Sequence, residues 1–350
     1  MTLHSTPLSV PLLNQSEPLD FVTVTFSAEL RLLQLQARSF ARYLPKDLVG
    51  TINIIVNEEE PGATAAMIRK FILPLYGLHV DKVRVWSRDE IVGHHRFIHS
   101  GWYSQQVLKL QISQLLTATA YIILDTKNHF IRDVSRGDFV AEDGRLKHRQ
   151  RNLRRPRRRW LPRWWPRTAT KNLPKRFVGT FEYFGLDPMK NGFEVVPKTT
   201  PFPVYRAFAN RLIAHVESSE QSTFSQWFET YFNATEFYLL QAFPASFGLQ
   251  YCEYYDRARS GVMAIYPDKA RVIGNLDKQL KKLDNLKYYC FGVHRASAKC
   301  LSYTARSLLV DFWRARELVA LGEKTDYFFD QGAPLRLHED VNVPRGKAVP

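Results

Sequence analysis

Apolar and polar positions change over in short blocks along most of this chain. Asp20-Phe-Val-Thr-Val-Thr-Phe26 sets Val against Thr and is rich in β-branched residues, which predicts a first strand. Ser27 is placed to cap the helix after it, with Glu29 just inside the turn. Leu30, Leu33, Ala37 and Phe40 then recur at helical spacing until Leu44-Pro45 stops the helix. Thr51-Ile-Asn-Ile-Ile-Val56 is a second strand, and it closes in the acidic run Asn57-Glu-Glu-Glu60. The pattern goes on to a helix over Thr64–Leu75 and a third strand over Lys82–Trp86. A further helix is expected after Ser104 as its cap, with Val107, Leu108, Ile112 and Leu115 on its apolar face. Strand, helix, strand in this order is the pattern of a nucleotide-binding βαβ half.

The run Tyr121–Leu124 is short, apolar and carries two Ile, which suits a strand buried on both faces. It stops abruptly at Asp125, and Thr126, Lys127, Asn128 and His129 come next. In open α/β sheets ligands bind at the carboxyl ends of strands, so Asp125 to His129 is the candidate floor of a site. A solvated turn in which Asp125 and Asn128 bond their own backbone explains the same residues.

Beyond residue 170 the pattern predicts an extended Thr199–Val204, a helix over Tyr205–Val216, and a helix over Phe237–Ala242. Asn233 or Thr235 caps the Phe237–Ala242 helix, and Glu236 falls in its first turn, where the helix dipole alone accounts for an acid. Gln250–Tyr255 reads as strand-like, Tyr288–Arg295 as a strand ending in His294-Arg295, and Ala298–Leu318 as a closing helix. Residues 1–19 are expected as a loose arm, 20–318 as one large domain, and 319–350 as a tail.

Charge changes this picture at one place. The 350 residues carry a net +15, but Arg145 to Arg167 holds ten Arg and one Lys with no acid, leaving only +4 on the rest. The basic balance therefore describes an insert, 145–170, and not the fold. Trp160, Trp164 and Trp165 lie among these arginines, and Pro156, Pro162 and Pro166 forbid a continuous helix. Arg with Trp best suits an anionic membrane surface, then a solvated loop, then nucleic acid. Three widely spaced cysteines (Cys252, Cys290, Cys300) form no CxxC pair and suggest reduced thiols. The N-terminus lacks the basic and apolar regions of a secretory leader, and no run approaches the ~20 apolar residues of a membrane span. A cytoplasmic chain, peripheral on the inner face of a membrane, is the expectation. There is no GxGxxG after the first strand and no GxxxxGK[ST], which argues against a nicotinamide enzyme and a P-loop ATPase. His94, His95 and His99 have no HExxH or HxH spacing.

Five stretches occurring in order carry a resemblance: Phe21–Phe26, Gly101–Leu110, Ile123–Phe130, Ala234–Tyr238 and Gly292–Arg295. Together, over about residues 20–318, they resemble a bacterial group of glycosyltransferase-like proteins related to the nucleotide-sugar enzymes of the GT-A fold. The resemblance implies an α/β protein with a Rossmann-type mixed sheet flanked by helices. It implies an Asp-x-Asp motif at the end of the fourth strand. Asp125 holds the first position, but Lys127 stands where the second Asp belongs. His294 resembles the late histidine that completes a metal shell. The implied cofactors are a UDP- or GDP-sugar donor and Mn²⁺ or Mg²⁺ at Asp125 and His294, with a lysine as the metal-free alternative. Glu236 resembles the carboxylate that takes the acceptor proton in inverting members. On this reading Thr25, Phe26 and Asn57 frame the nucleoside, and Gln105, Gln106 and Lys109 line the donor pocket. Asp125, Lys127 and His294 face the diphosphate, and Lys109 or Arg295 could serve beside Lys127 as the cation that meets it.

The implied function is sugar transfer to a glycan or lipid-linked acceptor at the cytosolic face of a membrane. Two rivals stand beside it. The missing second Asp favours a binding or scaffold protein with a decayed site. The insert would serve a nucleic-acid-binding protein, whose binding would weaken steeply with salt.

Overall fold

The computed structural model describes residues 8–99, 101–149, 151–152, 173–188, 194–195, 199–231, 233–258, 261–266, 276–329 and 335. Most of the basic insert, residues 150 and 153–170, lies outside the described residues, and with it most of the expected membrane contact through 145–167. Among the described residues, no helix is long and apolar enough to cross a membrane.

The fold is α/β, with mixed sheets flanked by helices. Strands β1 (Leu19–Thr25), β2 (Val49–Val56), β3 (Val83–Ser87) and β4 (Ala120–Asp125) run parallel in the order β3-β2-β1-β4. The apolar run Tyr121–Leu124 is fully buried, as a parallel strand covered on both faces must be. After β4 the chain turns through Thr126-Lys127 into β5 (Asn128–Phe130), which leaves this sheet. Two short pieces, β6 (Leu146–Arg149) and β7 (Arg151–Asn152), come next, and β7 pairs with β8 (Glu194–Val195). Strand β9 (Phe202–Tyr205) closes the large sheet antiparallel to β4. Strand β10 (Tyr255–Ala258) pairs with β6, and β11 (Val262–Ile265) and β12 (Cys290–Val293) join β5 in a small sheet ordered β11-β12-β5. The chain thus changes sheets at Asp125–Asn128.

Helix α1 (Leu30–Tyr43) comes after β1, and α2 (Pro61–Phe71) after β2. The expected Thr64–Leu75 helix starts earlier, on Pro61, and gives way after Phe71 to a 3-10 stretch, Leu73–Lys82, broken by Gly77 at φ 55°. Ser27 caps nothing. Its N–H donates to Glu58 Oε1 (2.8 Å), and the other oxygen of Glu58 accepts from Thr64 Oγ1 (2.6 Å), which ties the loops after β1 and β2 together. Helix α3 (Arg88–Val92) precedes α4 (Trp102–Gln111), which opens on Gly101 and not on Ser104. The remaining helices are α5 (Lys175–Tyr183), α6 (Arg206–Glu220), α7 (Phe224–Thr230), α8 (Glu236–Ser246), α9 (Tyr251–Tyr254), α10 (Leu276–Lys282), α11 (Arg295–Lys299) and α12 (Tyr303–Arg314). Two expectations fail here. Tyr251–Tyr254 is one helical turn before β10, and the expected Ala298–Leu318 helix is two pieces, because Ser302 caps α12 through Ala305 N (3.3 Å).

Helix α1 is buried on nearly every side, including Arg31, Gln34, Gln36 and Arg38. The segment after α12 covers it. Glu323 pairs with Arg38 through two 2.6 Å bonds, Tyr327 donates to Gln34 Oε1 (2.8 Å), and Phe329 stacks on Trp313. Residues 319–329, expected as part of a tail, are therefore packed into the fold. The end of the arm is also held: Leu8 and Leu13 are buried, and Gln15 Nε2 donates to Ala141 O (3.1 Å).

Candidate active site

A cavity of about 440 Å³ opens at the carboxyl ends of β1 and β4, where the two sheets part. Its floor is the turn after β4, and that turn is pinned from several directions. Asn128 Oδ1 accepts from Asp125 N (2.8 Å) and from Thr200 Oγ1 (2.6 Å). From α1, Gln36 Nε2 donates to the carbonyls of both Asp125 (3.0 Å) and Asn128 (2.9 Å), while Gln36 Oε1 accepts from Thr23 (2.8 Å). Each buried polar group is thus paired, and the turn has one geometry. Gly292 of β12 packs against it: a Cβ there would meet Lys127 O at 3.1 Å.

Of the polar run, His129 turns away into the core. Trp313 Nε1 lies 2.9 Å from its Nε2, and its Nδ1 lies 3.2 Å from Lys127 O. A donated indole N–H leaves Nδ1 as the protonated nitrogen of a neutral ring. Burial, the main cause, holds its pKa down to about 3. The unfolded ring takes up its proton near pH 6.5, so His129 favours the fold above that pH and withdraws this stability as pH falls toward 3. Urea titrations between pH 7.5 and 5 should show stability falling by up to ~1.4 kcal/mol per pH unit from this group, and His129→Gln should flatten that slope. An unchanged slope in the variant would count against the buried neutral ring.

Asp125 is the centre of the floor. Its Oδ1 accepts from Lys109 Nζ (2.8 Å), its Oδ2 accepts from Lys127 Nζ, and Thr200 Oγ1 lies 2.9 Å from Oδ2. Burial would raise this carboxyl, but Lys109 and Lys127 hold it well below the usual carboxylate range. Burial works against the Lys109 ammonium as well, yet Asp125 and Glu236 hold it above its ordinary value. Lys109 Nζ lies 3.7 Å from Glu236 Oε1, so one ammonium joins the two carboxylates. Glu236 is only 3% exposed. It opens α8 behind the Thr235 cap, whose Oγ1 accepts from Tyr238 N (3.3 Å).

Eight of the residues singled out from sequence line this cavity: Phe26, Gln105, Lys109, Asp125, Lys127, Glu236, His294 and Arg295. Three do not. Thr25 is fully buried behind the wall, and its hydroxyl has no hydrogen-bond partner among the described residues. Asn57 instead ties down the start of α4, donating to Ser104 Oγ (2.9 Å) and Gly101 O (3.4 Å). Gln106 does not line the cavity and accepts from Glu236 N (3.3 Å).

Glu29, Trp102, Thr200 and Tyr266 also line the cavity and were not singled out. Burial raises the Glu29 carboxyl, partly offset by a hydrogen bond with Thr126. Its sequence context reads as an ordinary first-turn acid, and nothing local marks it.

The donor set does not suit a divalent cation. Both oxygens of Asp125 face ammonium groups, and His294 Nδ1 accepts from Ala296 N (3.2 Å) as the cap of α11. Burial, then Lys127 and Arg295, hold the His294 imidazole below its ordinary pKa. Among the described residues no three His, Cys, Asp or Glu side chains converge as a metal site would require.

No curated protein matches this sequence. Several solved glycosyltransferases are similar in structure. The galactosyltransferase LgtC, in complex with donor and acceptor sugar analogs, is 12% identical, over 87% of this chain and 98% of its own, at a TM-score of 0.42. Mouse xyloside xylosyltransferase 1, in its apo form, is 10% identical, over 79% of this chain and 97% of its own, at a TM-score of 0.37. For the bifunctional glycosyltransferase WbbM the figures are 12% identity, 82% of this chain and a TM-score of 0.38, and the match spans only 48% of that protein. Residues 24–183, which include Asp125 and Lys127, match DUF6492, a family of unknown function.

Proposed function

We propose that this chain is a nucleotide-sugar-dependent glycosyltransferase of the GT-A type. The observation that carries the reading is one cavity lined both by a buried carboxylate, Glu236, and by the cations Lys127 and Arg295. Sugar transfer needs both. The acceptor hydroxyl must lose a proton as it attacks C1, and the nucleoside diphosphate must leave with growing negative charge. Glu236 is the base in this scheme, and Phe26 and Gln105 line the donor's side of the cavity. A glycan or lipid-linked acceptor at the cytosolic face of a membrane remains the proposed second substrate.

The test is thermal unfolding of the chain with UDP-, GDP- and CMP-sugars, followed by turnover assays with whichever binds. A ligand at 100 times its Kd adds about 2.7 kcal/mol to stability and raises Tm by a readable amount. One nucleotide class is expected to shift Tm and to be turned over. No shift with any donor would overturn the reading, and binding without turnover would point to the scaffold alternative.

A further inference from the structure

The resemblance places a divalent cation at Asp125 and His294, but the side chains around Asp125 are arranged for a different purpose. Lys127 Nζ bonds one carboxylate oxygen and faces the cavity, with its ammonium 5.3 Å from the Tyr266 ring centroid. Lysine carries three N–H donors, so a bond to Asp125 leaves two to point at a ligand. Arg295 lines the same wall. Its guanidinium lies 4.8 Å from the Phe26 ring centroid, which braces the fork from one side. Lys109 is turned away from this task, toward Asp125 and Glu236. A cation bound to either oxygen of Asp125 would be held against a fixed ammonium at contact distance. Asp125 is instead well placed to orient Lys127.

We propose that the site grips a nucleoside diphosphate without a divalent ion, through Lys127 and Arg295, with Asp125 as the counter-ion that aims Lys127. This rests on the nucleotide-sugar reading and specifies its leaving-group chemistry. As the acceptor oxygen forms its bond to C1, the bond from C1 to the β-phosphate oxygen breaks. Its electron pair stays on that oxygen, where Lys127 and Arg295 meet the charge, and the acceptor proton passes to Glu236. Arg295 supplies a planar fork that matches two phosphate oxygens, and Lys127 supplies a point charge.

Calorimetric titration of UDP and of GDP into the full chain tests this, first in EDTA and then with Mn²⁺. One of the two is expected to bind in both buffers, with Kd agreeing within about twofold when the metal plays no part. Lys127→Met and Arg295→Ala should each weaken binding in EDTA by about tenfold or more, the scale of a charge-assisted hydrogen bond. Lys127→Arg should retain most of it. Arg295 is only half-buried, so its variant reads the site even if Lys127→Met fails to fold. Binding that appears only with Mn²⁺ would overturn the metal-free site while leaving the glycosyltransferase reading intact. Wild-type affinity in the Arg295→Ala and Lys127→Met variants would overturn it as well. No binding of UDP or GDP in either buffer would overturn the diphosphate site, and if no donor sugar shifts Tm either, the transferase reading falls with it.

Discussion

Glu236→Gln is expected to lower kcat for sugar transfer by a factor of about 100 or more, while the Kd for the donor nucleotide stays near wild type. Glutamine keeps the shape of the side chain and removes only the charge and the capacity to take a proton. The supporting contacts survive the change. Thr235 still caps α8, and the backbone N–H at residue 236 still reaches Gln106 Oε1 (3.3 Å). Lys109 keeps its 2.8 Å bond to Asp125, so the ammonium near the substituted side chain remains paired. A loss in kcat with Kd unchanged is what a group acting on the acceptor proton would give. Parallel losses in both would assign Glu236 to donor binding. Wild-type turnover would remove it from the mechanism.

The second large effect concerns the fold. Glu323→Ala is expected to destabilise the protein by about 3–5 kcal/mol, the cost of leaving Arg38 charged and unpaired in the interior. The side chains of Arg38 and Glu323 are 2% and 0% exposed. Arg38 Nη1 also donates to Leu318 O (2.9 Å), and Glu323 accepts from Ala320 N (2.8 Å). The pair thus fastens the segment after α12 over α1. That helix also carries Gln36, which pins the turn after β4. Urea unfolding would measure the change as a lower midpoint with little change in slope. Replacing both residues with Met should recover most of the loss, because the desolvation penalty of the pair goes with it. A loss below about 1 kcal/mol in Glu323→Ala would put the segment outside the cooperative fold, as an exposed ion pair would be.

The elements most legible from sequence are those whose signal is local. Val alternating with Thr in 20–26, and Leu30, Leu33, Ala37 and Phe40 at helical spacing, locate β1 and α1 to within a residue or so. The abrupt change from Leu124 to Asp125 marks the end of β4 without any structure. Burial on both faces requires an apolar run, and a strand end in an open sheet is where polar groups can gather. Local signals misled where they were short. Gln250–Tyr255 is aromatic enough to pass for a strand, yet most of it is a helical turn, and Ser104 resembles a cap although the helix opens on Gly101.

The tertiary structure decided which polar residues meet. Thr25 and Phe26 are neighbours in sequence, but side chains along a strand alternate in direction, so Phe26 lines the cavity and Thr25 is buried behind it. Gln36, Thr200 and Gly292 reach the Asp125 turn from three distant parts of the chain, and no spacing rule connects them. Lys127 reads from sequence as a departure from Asp-x-Asp. The folded arrangement makes it the partner of Asp125, because a half-buried carboxylate needs compensating charge and two lysines provide it. Sequence alone placed an acid at a strand end and another at a helix start. Only the fold brought both within reach of Lys109, since that depends on how α4 and α8 pack, and the two helices are far apart in the chain.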